Sequence, residues 1–201
     1  IEIKKGEFVF VVGPSGAGKS TFIKMIFREE LPSEGSLVVN GRNVTEMTLK
    51  DVPYLRRGLG IIFQDYRLLQ DKTVYENVAF AMQVVEAPRR EMQKRVNTVL
   101  DLVGLKDKVK SFPTQLSGGE QQRVAIARAI VNNPMVVIAD EPTGNLDPET
   151  SWDIMKIFDR INKDGTTIVM ATHDKSIVDT MKKRVIAIEN GRIIRDEARG
   201  V

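Results

Sequence analysis

The sequence predicts an α/β fold with a mainly parallel sheet, an antiparallel β flap and an inserted helical lobe. Apolar runs typical of buried strands alternate with segments that carry apolar residues at helical spacing, which favours a parallel sheet covered by helices on both faces. A short strand that ends in the Asn40-Gly41 turn indicates the flap. Residues 73–113 have no strand pattern, so we expect the helical lobe there, within a single domain over residues 1–201.

Each predicted strand is a short run of β-branched, aliphatic or aromatic residues. In chain order the strands cover residues 1–7, 8–12, 36–40, 59–63, 135–139, 167–171, 185–188 and 192–195. The first is expected to reach the second through a turn at Lys5-Gly6. Asn190-Gly191 is typical of a hairpin turn and leads into the last strand.

Each predicted helix carries apolar residues three and four positions apart. In chain order the helices cover residues 21–27, 74–85, 89–103, 118–131, 149–161 and 175–181. Pro88 separates the second helix from the third, and Gly104 ends the third. Ser117, with Glu120 three residues later, predicts a capping box at the start of the fourth.

The composition excludes several classes of protein. The chain has no cysteine and one histidine, His173, which excludes disulfides, thiolate metal sites and multi-histidine metal centres. No apolar run approaches the roughly 18 residues of a membrane span, and no signal peptide opens the sequence, so we expect a cytoplasmic protein. The basic segment 86–110 can carry the whole net charge of +3. It reads as a solvated helical face or a surface near anionic lipid, and without aromatic residues it gives no support to nucleic-acid binding.

Residues 13–20 read Gly-Pro-Ser-Gly-Ala-Gly-Lys-Ser, which fills the pattern Gly-x-x-x-x-Gly-Lys-Ser between a predicted strand and a predicted helix. Such a loop turns backbone N–H groups and a helix N-terminus toward phosphate. Lys19 adds positive charge at the β- and γ-phosphates, and the Ser20 hydroxyl can ligate Mg²⁺. The predicted binding residues are Gly13, Pro14, Ser15, Gly16, Ala17, Gly18, Lys19, Ser20 and Thr21. A turn without a ligand is the alternative, but the context favours a nucleoside triphosphate.

Four loops leave the carboxyl ends of predicted strands, where ligands bind in parallel sheets. These loops begin at Gly13, Gln64, Asp140 and Thr172. We therefore expect the four loops to converge on one site.

Four side chains in these loops are the candidates for the chemistry of that site. Asp140 can hold Mg²⁺ in its outer shell, and Gln64 can bridge Mg²⁺ and a water. Glu141 can orient or deprotonate the attacking water, and His173 can contact the γ-phosphate or hold that water. The alternatives are a helix-capping Asp-Glu pair, a structural histidine and a surface glutamine.

Residues 116–123 form a second phosphate-binding candidate. Ser117, Gly118 and Gly119 place exposed backbone N–H groups at a helix N-terminus, which attracts anions. This half-site is expected in the helical lobe and is separate from the phosphate-binding loop at residues 13–20. Two copies of the chain arranged head to tail would complete both sites, so we expect an ATP-dependent homodimer.

Taken in order, these motifs resemble those of ABC-type ATPase domains. The P-loop, Q-loop, signature, Walker B segment, D-loop and switch histidine correspond to residues 13–21, Gln64, residues 116–123, residues 136–141, residues 145–147 and His173. The resemblance implies ATP and Mg²⁺ as cofactors. It also places Asp147, in the D-loop, among the nucleotide-binding residues.

Residues 140–148 resemble one group within that family, which includes cell-division, lipoprotein-release and macrolide-export ATPases. Segments 63–69, 73–79 and 184–191 look most like the cell-division members. Those ATPases work with the integral membrane protein FtsX and regulate peptidoglycan hydrolysis through it. The resemblance therefore implies a location at the cytoplasmic face of the membrane, at the division site.

Other functions stay open at this stage. The chain can instead serve a lipoprotein-release or macrolide-type exporter. A soluble ABC ATPase that acts on DNA or the ribosome is less favoured, because the chain lacks a coiled-coil insertion and a second tandem domain. A nucleotide-gated module with little hydrolysis does not need the carboxylate of Glu141.

Two further expectations come from the resemblance. These domains usually carry an aromatic residue that stacks on adenine upstream of the P-loop strand, and no tyrosine of this chain lies in that place. An N-terminal adenine-contacting segment is therefore expected to precede Ile1. The membrane partner is expected to lay a short helix into a groove at Tyr66, Leu68 and Leu69.

Overall fold

A six-stranded sheet forms the centre of the computed structural model, which describes residues 1–198. The strands are β1 (Phe8–Val12), β2 (Val38–Val39), β3 (Arg42–Asn43), β4 (Leu59–Ile62), β5 (Val136–Asp140), β6 (Thr167–Ala171), β7 (Arg184–Glu189) and β8 (Arg192–Glu197). The helices are α1 (Lys19–Ile26), α2 (Val52–Arg57), α3 (Val74–Val84), α4 (Arg89–Leu102), α5 (Gly118–Ile130), α6 (Pro148–Lys163) and α7 (Lys175–Met181).

The strand order in the main sheet is β4-β5-β6-β1-β7-β8. The pairs from β4 to β7 are parallel, and β8 pairs with β7 in the antiparallel sense. Strands β2 and β3 form a separate antiparallel hairpin, which is the predicted flap. The carboxyl ends of β1, β4, β5 and β6 therefore lie along one edge of the sheet.

Both faces of the sheet are buried, as a parallel sheet with crossover helices requires. Because side chains alternate along a strand, Phe8 and Phe10 of β1 enter one apolar cluster, whereas Val9 and Val11 enter the other. The first cluster is shared with helices α3 to α7. The second is closed by α1, α2 and the β2–β3 hairpin. The P-loop strand is thus fixed between two packed layers.

Residues 73–113 contain α3, α4 and the short 3₁₀ helix Lys106–Lys108, and they contain no strand; a second 3₁₀ helix, Pro113–Gln115, begins at the last of these residues. A capping box starts α3, in which the backbone N–H of Glu76 donates to the Thr73 hydroxyl and the backbone N–H of Thr73 donates to the Glu76 carboxylate. Within residues 1–198, none of the helices combines the length and the apolar character that crossing a membrane needs.

Two features of the fold differ from the sequence prediction. Residues 1–7 do not form a strand. Side chains hold this segment instead, because the backbone N–H of Gly6 donates to the Thr167 hydroxyl and Arg184 donates to the carbonyl of Glu2. Helix α2 was not predicted, since six residues with two buried apolar positions are too short to display a helical period.

Candidate functional site

The four predicted loops converge at the carboxyl edge of the sheet. They enclose a cleft of about 530 Å³ whose lining residues are Ser15, Gly16, Ala17, Gly18, Lys19, Ser20, Thr21, Gln64, Glu141 and His173. Two predicted binding residues, Gly13 and Pro14, lie behind the lining, where their carbonyls accept hydrogen bonds from Lys19.

The P-loop backbone is held close to the sheet. A Cβ at Gly13 would lie 2.1 Å from the carbonyl oxygen of Ile188, so only glycine permits this approach of the loop to β7. The loop is tied down further where the backbone N–H of Gly191 donates to the carbonyl of Ala17 at 3.0 Å. Gly18 then starts α1 with φ 107°. The resulting curl directs the N-terminus of α1 at the cleft, which suits an anion.

Lys19 and Ser20 bring charge and a hydroxyl to this cleft. Lys19 is 9% exposed, and its ammonium donates to the carbonyls of Gly13 at 2.9 Å and Pro14 at 3.1 Å. The Ser20 hydroxyl donates to Oδ1 of Asp140 at 3.4 Å, although β6 lies between β1 and β5 in the sheet. Burial raises the pKa of Asp140, and the hydrogen bond from Ser20 acts in the opposite direction.

Glu141 and His173 are in direct contact at the edge of the cleft. Nδ1 of His173 lies 2.9 Å from Oε2 of Glu141, and 69% of the His173 side chain but only 15% of the Glu141 side chain is exposed. Glu141 has φ 48°, and its backbone N–H donates to the carbonyl of Ala171 at 2.9 Å. Non-glycine residues seldom adopt this left-handed conformation. The chain therefore turns at Glu141, and the two neighbouring carboxylates have different partners: Ser20 for Asp140 and His173 for Glu141.

Gln64 lies just after β4 and completes the lining. Its amide nitrogen lies 3.3 Å from the position that a Cβ on Gly144 would occupy, so Gln64 packs against the loop that follows Glu141. Gln64 is exposed to solvent and is free to turn its amide toward a ligand.

The second half-site, Ser117 to Gly119, does not line the cleft of its own chain. The predicted capping box is confirmed, because the N–H of Glu120 donates to the Ser117 hydroxyl at 3.2 Å and the N–H of Ser117 donates to the Glu120 carboxylate at 2.8 Å. A Cβ at Gly119 would lie 2.4 Å from a methyl carbon of Thr150, so glycine lets α5 approach α6. At the start of α5, Ser117 is therefore left exposed outside the cleft.

Asp147 also lies outside the cleft. Its carboxylate caps α6, with one oxygen accepting from the N–H of Thr150 at 2.9 Å and the other from the Thr150 hydroxyl at 2.6 Å. These hydrogen bonds lower the pKa of Asp147. The D-loop carboxylate therefore has a structural role within one chain.

Two residues near the site were not singled out as site residues from the sequence. Arg128 of α5 donates to backbone carbonyls just after Gln64, and the Tyr66 hydroxyl lies beside Gly118. An arginine within an apolar helical stripe is the one sequence signal for the first contact. Nothing in the sequence indicates the second, since 52 positions separate the two residues.

Comparisons with known proteins agree with this geometry. A family model described as ABC transporter matches residues 1–144. The chain is 62% identical over 200 residues to the cell division ATP-binding protein FtsE of Streptococcus pneumoniae, covering 100% of this chain and 87% of that protein. It is also 62% identical over 200 residues to FtsE of Bacillus subtilis, covering 100% of this chain and 88% of that protein.

A solved structure has the same fold. It is the dimeric post-hydrolysis state of the ATP-binding cassette MJ0796 bound to ADP and Pi, which is 36% identical, has a TM-score of 0.87, and covers 100% of this chain and 89% of that one. The sequence comparisons and the structure comparison thus point to the same family, and the relatives and the solved structure match along the full length of this chain. The chain belongs to the ABC transporter family, as one of its ATPase cassettes.

Proposed function

We propose that this chain is the ATP-hydrolysing subunit of a cell-division complex and works with an integral membrane protein that resembles FtsX. The contact between Glu141 and His173, at the edge of a phosphate-binding cleft, carries the hydrolytic part of the proposal. The identity of 62% to relatives named FtsE supports the cell-division part. The complex would lie at the cytoplasmic face of the membrane at the division site, where it regulates peptidoglycan hydrolysis.

The residues of the cleft fit a triphosphate with Mg²⁺. The curl of the P-loop offers backbone N–H groups, and Lys19 needs only to leave the carbonyls of Gly13 and Pro14 to reach a phosphate. Ser20, Asp140 and Gln64 are oxygen donors of the kind that Mg²⁺ prefers. When bound, Mg²⁺ neutralises charge on the β- and γ-phosphates.

Glu141 is the proposed general base. Its carboxylate orients a water and accepts the proton of that water, while His173 holds the carboxylate in place through Nδ1. With Glu141 ionised, Nδ1 carries the proton of this hydrogen bond. Gln64 also orients the water, because it lines the same cleft and packs against the loop that follows Glu141.

A second copy of the chain is proposed to complete each site. Ser117 is exposed at the start of α5, and neither it nor Gly118 or Gly119 lines the cleft of its own chain. A helix N-terminus of this kind binds phosphate. In a head-to-tail dimer, the start of α5 from one copy would face the P-loop of the other.

A groove between α2, α3, β4 and α5 is the proposed seat of the membrane partner. It measures about 420 Å³ and exposes Phe80 and Val84, each 46% accessible, with Arg56 and Arg57 along its rim. The residues expected from the sequence, Tyr66, Leu68 and Leu69, do not line this groove; Leu68 is buried, and the other two are half-buried. A helix with an apolar face and acidic flanks would fit here.

A Phe80→Glu substitution tests this groove. Burial of one phenylalanine is worth about 1.5–3 kcal/mol, and a loss of this size corresponds to roughly 10- to 150-fold weaker binding. We expect the variant to bind ATP normally and to lose co-purification with the FtsX-like protein from membranes. Leu49→Glu is the control, since Leu49 is 82% exposed and lies outside the groove. Recovery of the partner at unchanged yield would refute the groove.

A further inference from the structure

The segment after Gln64 has an unusual backbone. Tyr66 and Arg67 are consecutive non-glycine residues with φ 56° and φ 47°. Residues with a Cβ seldom adopt this conformation, and two in a row require support from neighbouring groups. The N–H of Tyr66 donates to the carbonyl of Phe63 at 3.3 Å, so Tyr66 closes the turn that contains Gln64.

Arg128 of α5 supplies that support. Its two terminal guanidinium nitrogens donate to the carbonyl of Arg67 at 2.6 Å and to the carbonyl of Tyr66 at 2.8 Å. Burial lowers the pKa of Arg128. The planar guanidinium group of an arginine can donate to two adjacent carbonyls at once, whereas the ammonium group of a lysine is a compact point charge without this paired geometry.

The same segment contacts the helical elements at two other places. The Tyr66 hydroxyl lies 3.2 Å from the position of a Cβ on Gly118, beside the second phosphate-binding half-site. Further along, the buried Asn77 of α3 accepts from the N–H of Leu69 and donates to its carbonyl. The backbone from Tyr66 to Leu69 is thus attached to α5 and α3, and Gln64 is the part that reaches the cleft.

We propose that Arg128 is a positioning residue for Gln64. It holds the left-handed turn at residues 66–67 against α5, so that the Gln64 amide faces the cleft when the start of α5 is in place. The inference rests on the proposed role of Gln64 in ATP hydrolysis. It adds a link between the two phosphate-binding half-sites that does not pass through bound nucleotide.

Arg95 provides a matched control for a purely structural arginine. From α4 it donates to the carbonyls of Ile130 and Val131 and to the side chain of Asn133, at the far end of α5. Burial lowers the pKa of Arg95 as it does that of Arg128. Both arginines therefore donate to backbone carbonyls, but only Arg128 binds the segment that follows Gln64.

Arg128→Lys in the full chain tests the proposal. Removal of a group that orients a ligand of a metal or reacting water costs about 10- to 100-fold in activity. We expect kcat for ATP hydrolysis to fall by this factor, with KM and the affinity for ATP changed by less than about twofold. Arg95→Lys should lower the melting temperature and leave kcat unchanged. Equal losses of kcat in both variants would overturn the positioning role.

A double substitution separates this role from general damage. If Arg128 acts through Gln64, Arg128→Lys should cause little further loss in a Gln64→Ala chain. Multiplying losses would overturn the inference. The inference would also be overturned if Arg128→Lys kept its kcat while Gln64→Ala lost kcat. In that case the assignment of the chain as an ATPase would still stand.

Hydrogen exchange gives a readout that does not depend on activity. Amides of residues 65–68 should exchange faster in Arg128→Lys than in the unchanged chain, while those in the middle of α5 keep their protection. Unchanged exchange at residues 65–68 would overturn the inference even if the chain proved not to hydrolyse ATP.

Discussion

A Glu141→Gln chain is expected to bind ATP and to hydrolyse it about 10²- to 10⁴-fold more slowly than the unchanged chain, which is the usual loss when a general base is removed. The amide keeps the size of the side chain and the contact with His173 but cannot accept the proton of a water. Binding is expected to persist because Lys19 and the P-loop backbone are untouched.

The measurement is phosphate release beside equilibrium binding of a fluorescent ATP analogue. Light scattering on the same samples should detect a dimer when ATP is added to Glu141→Gln, since the trapped nucleotide holds two copies together. Glu91→Gln is the control, because Glu91 is exposed on α4 outside the cleft. Near-normal turnover in Glu141→Gln would mean that another group activates the water.

Lys19→Ala is expected to lose nucleotide binding. Hydrogen bonds from a charged group contribute about 1.5–3 kcal/mol, so the affinity should fall at least roughly 10- to 150-fold. The buried ammonium already lies against the carbonyls of Gly13 and Pro14, at the centre of the P-loop curl. No other lysine or arginine lines the described cleft and could replace it.

Lys24→Ala is the matched control for this prediction. Lys24 lies on the same helix, is 42% exposed and pairs with Glu29 at 3.3 Å. Its removal should leave ATP affinity unchanged, because an exposed ion pair contributes little. Titration with a fluorescent ATP analogue measures both variants, and equal affinities for Lys19→Ala and the unchanged chain would refute the P-loop assignment.

The sheet and the place of the cleft were predictable from the sequence. Strands β1, β5 and β6 are mainly apolar runs followed directly by Gly13, Glu141 and Thr172, and the parallel arrangement brings those ends together. The prediction at residues 1–7 was wrong because that segment is held by Thr167 and Arg184, which lie more than 150 positions away. A contact of that kind has no local sequence signal.

The members of the site were predictable, but their contacts were not. Glu141 and His173 were each assigned to the cleft, yet their hydrogen bond depends on β5 and β6 being neighbours in the sheet. Arg128 fits an apolar helical stripe, and its bonds to the carbonyls of Tyr66 and Arg67 depend on the segment after β4 lying against α5. Side-chain contacts across elements follow from tertiary packing rather than from sequence spacing.

The shared active site is tested most directly by mixing two inactive chains. Lys19→Ala damages the P-loop half and Ser117→Arg damages the signature half, while Ser117→Arg should still bind ATP. In a mixed pair, the P-loop of the Ser117→Arg chain would meet the intact start of α5 from the Lys19→Ala chain. Phosphate release is therefore expected to appear on mixing, although each variant alone is inactive. A mixture as inactive as its separate components, at a concentration where the unchanged chain hydrolyses ATP, would contradict a site built from two copies.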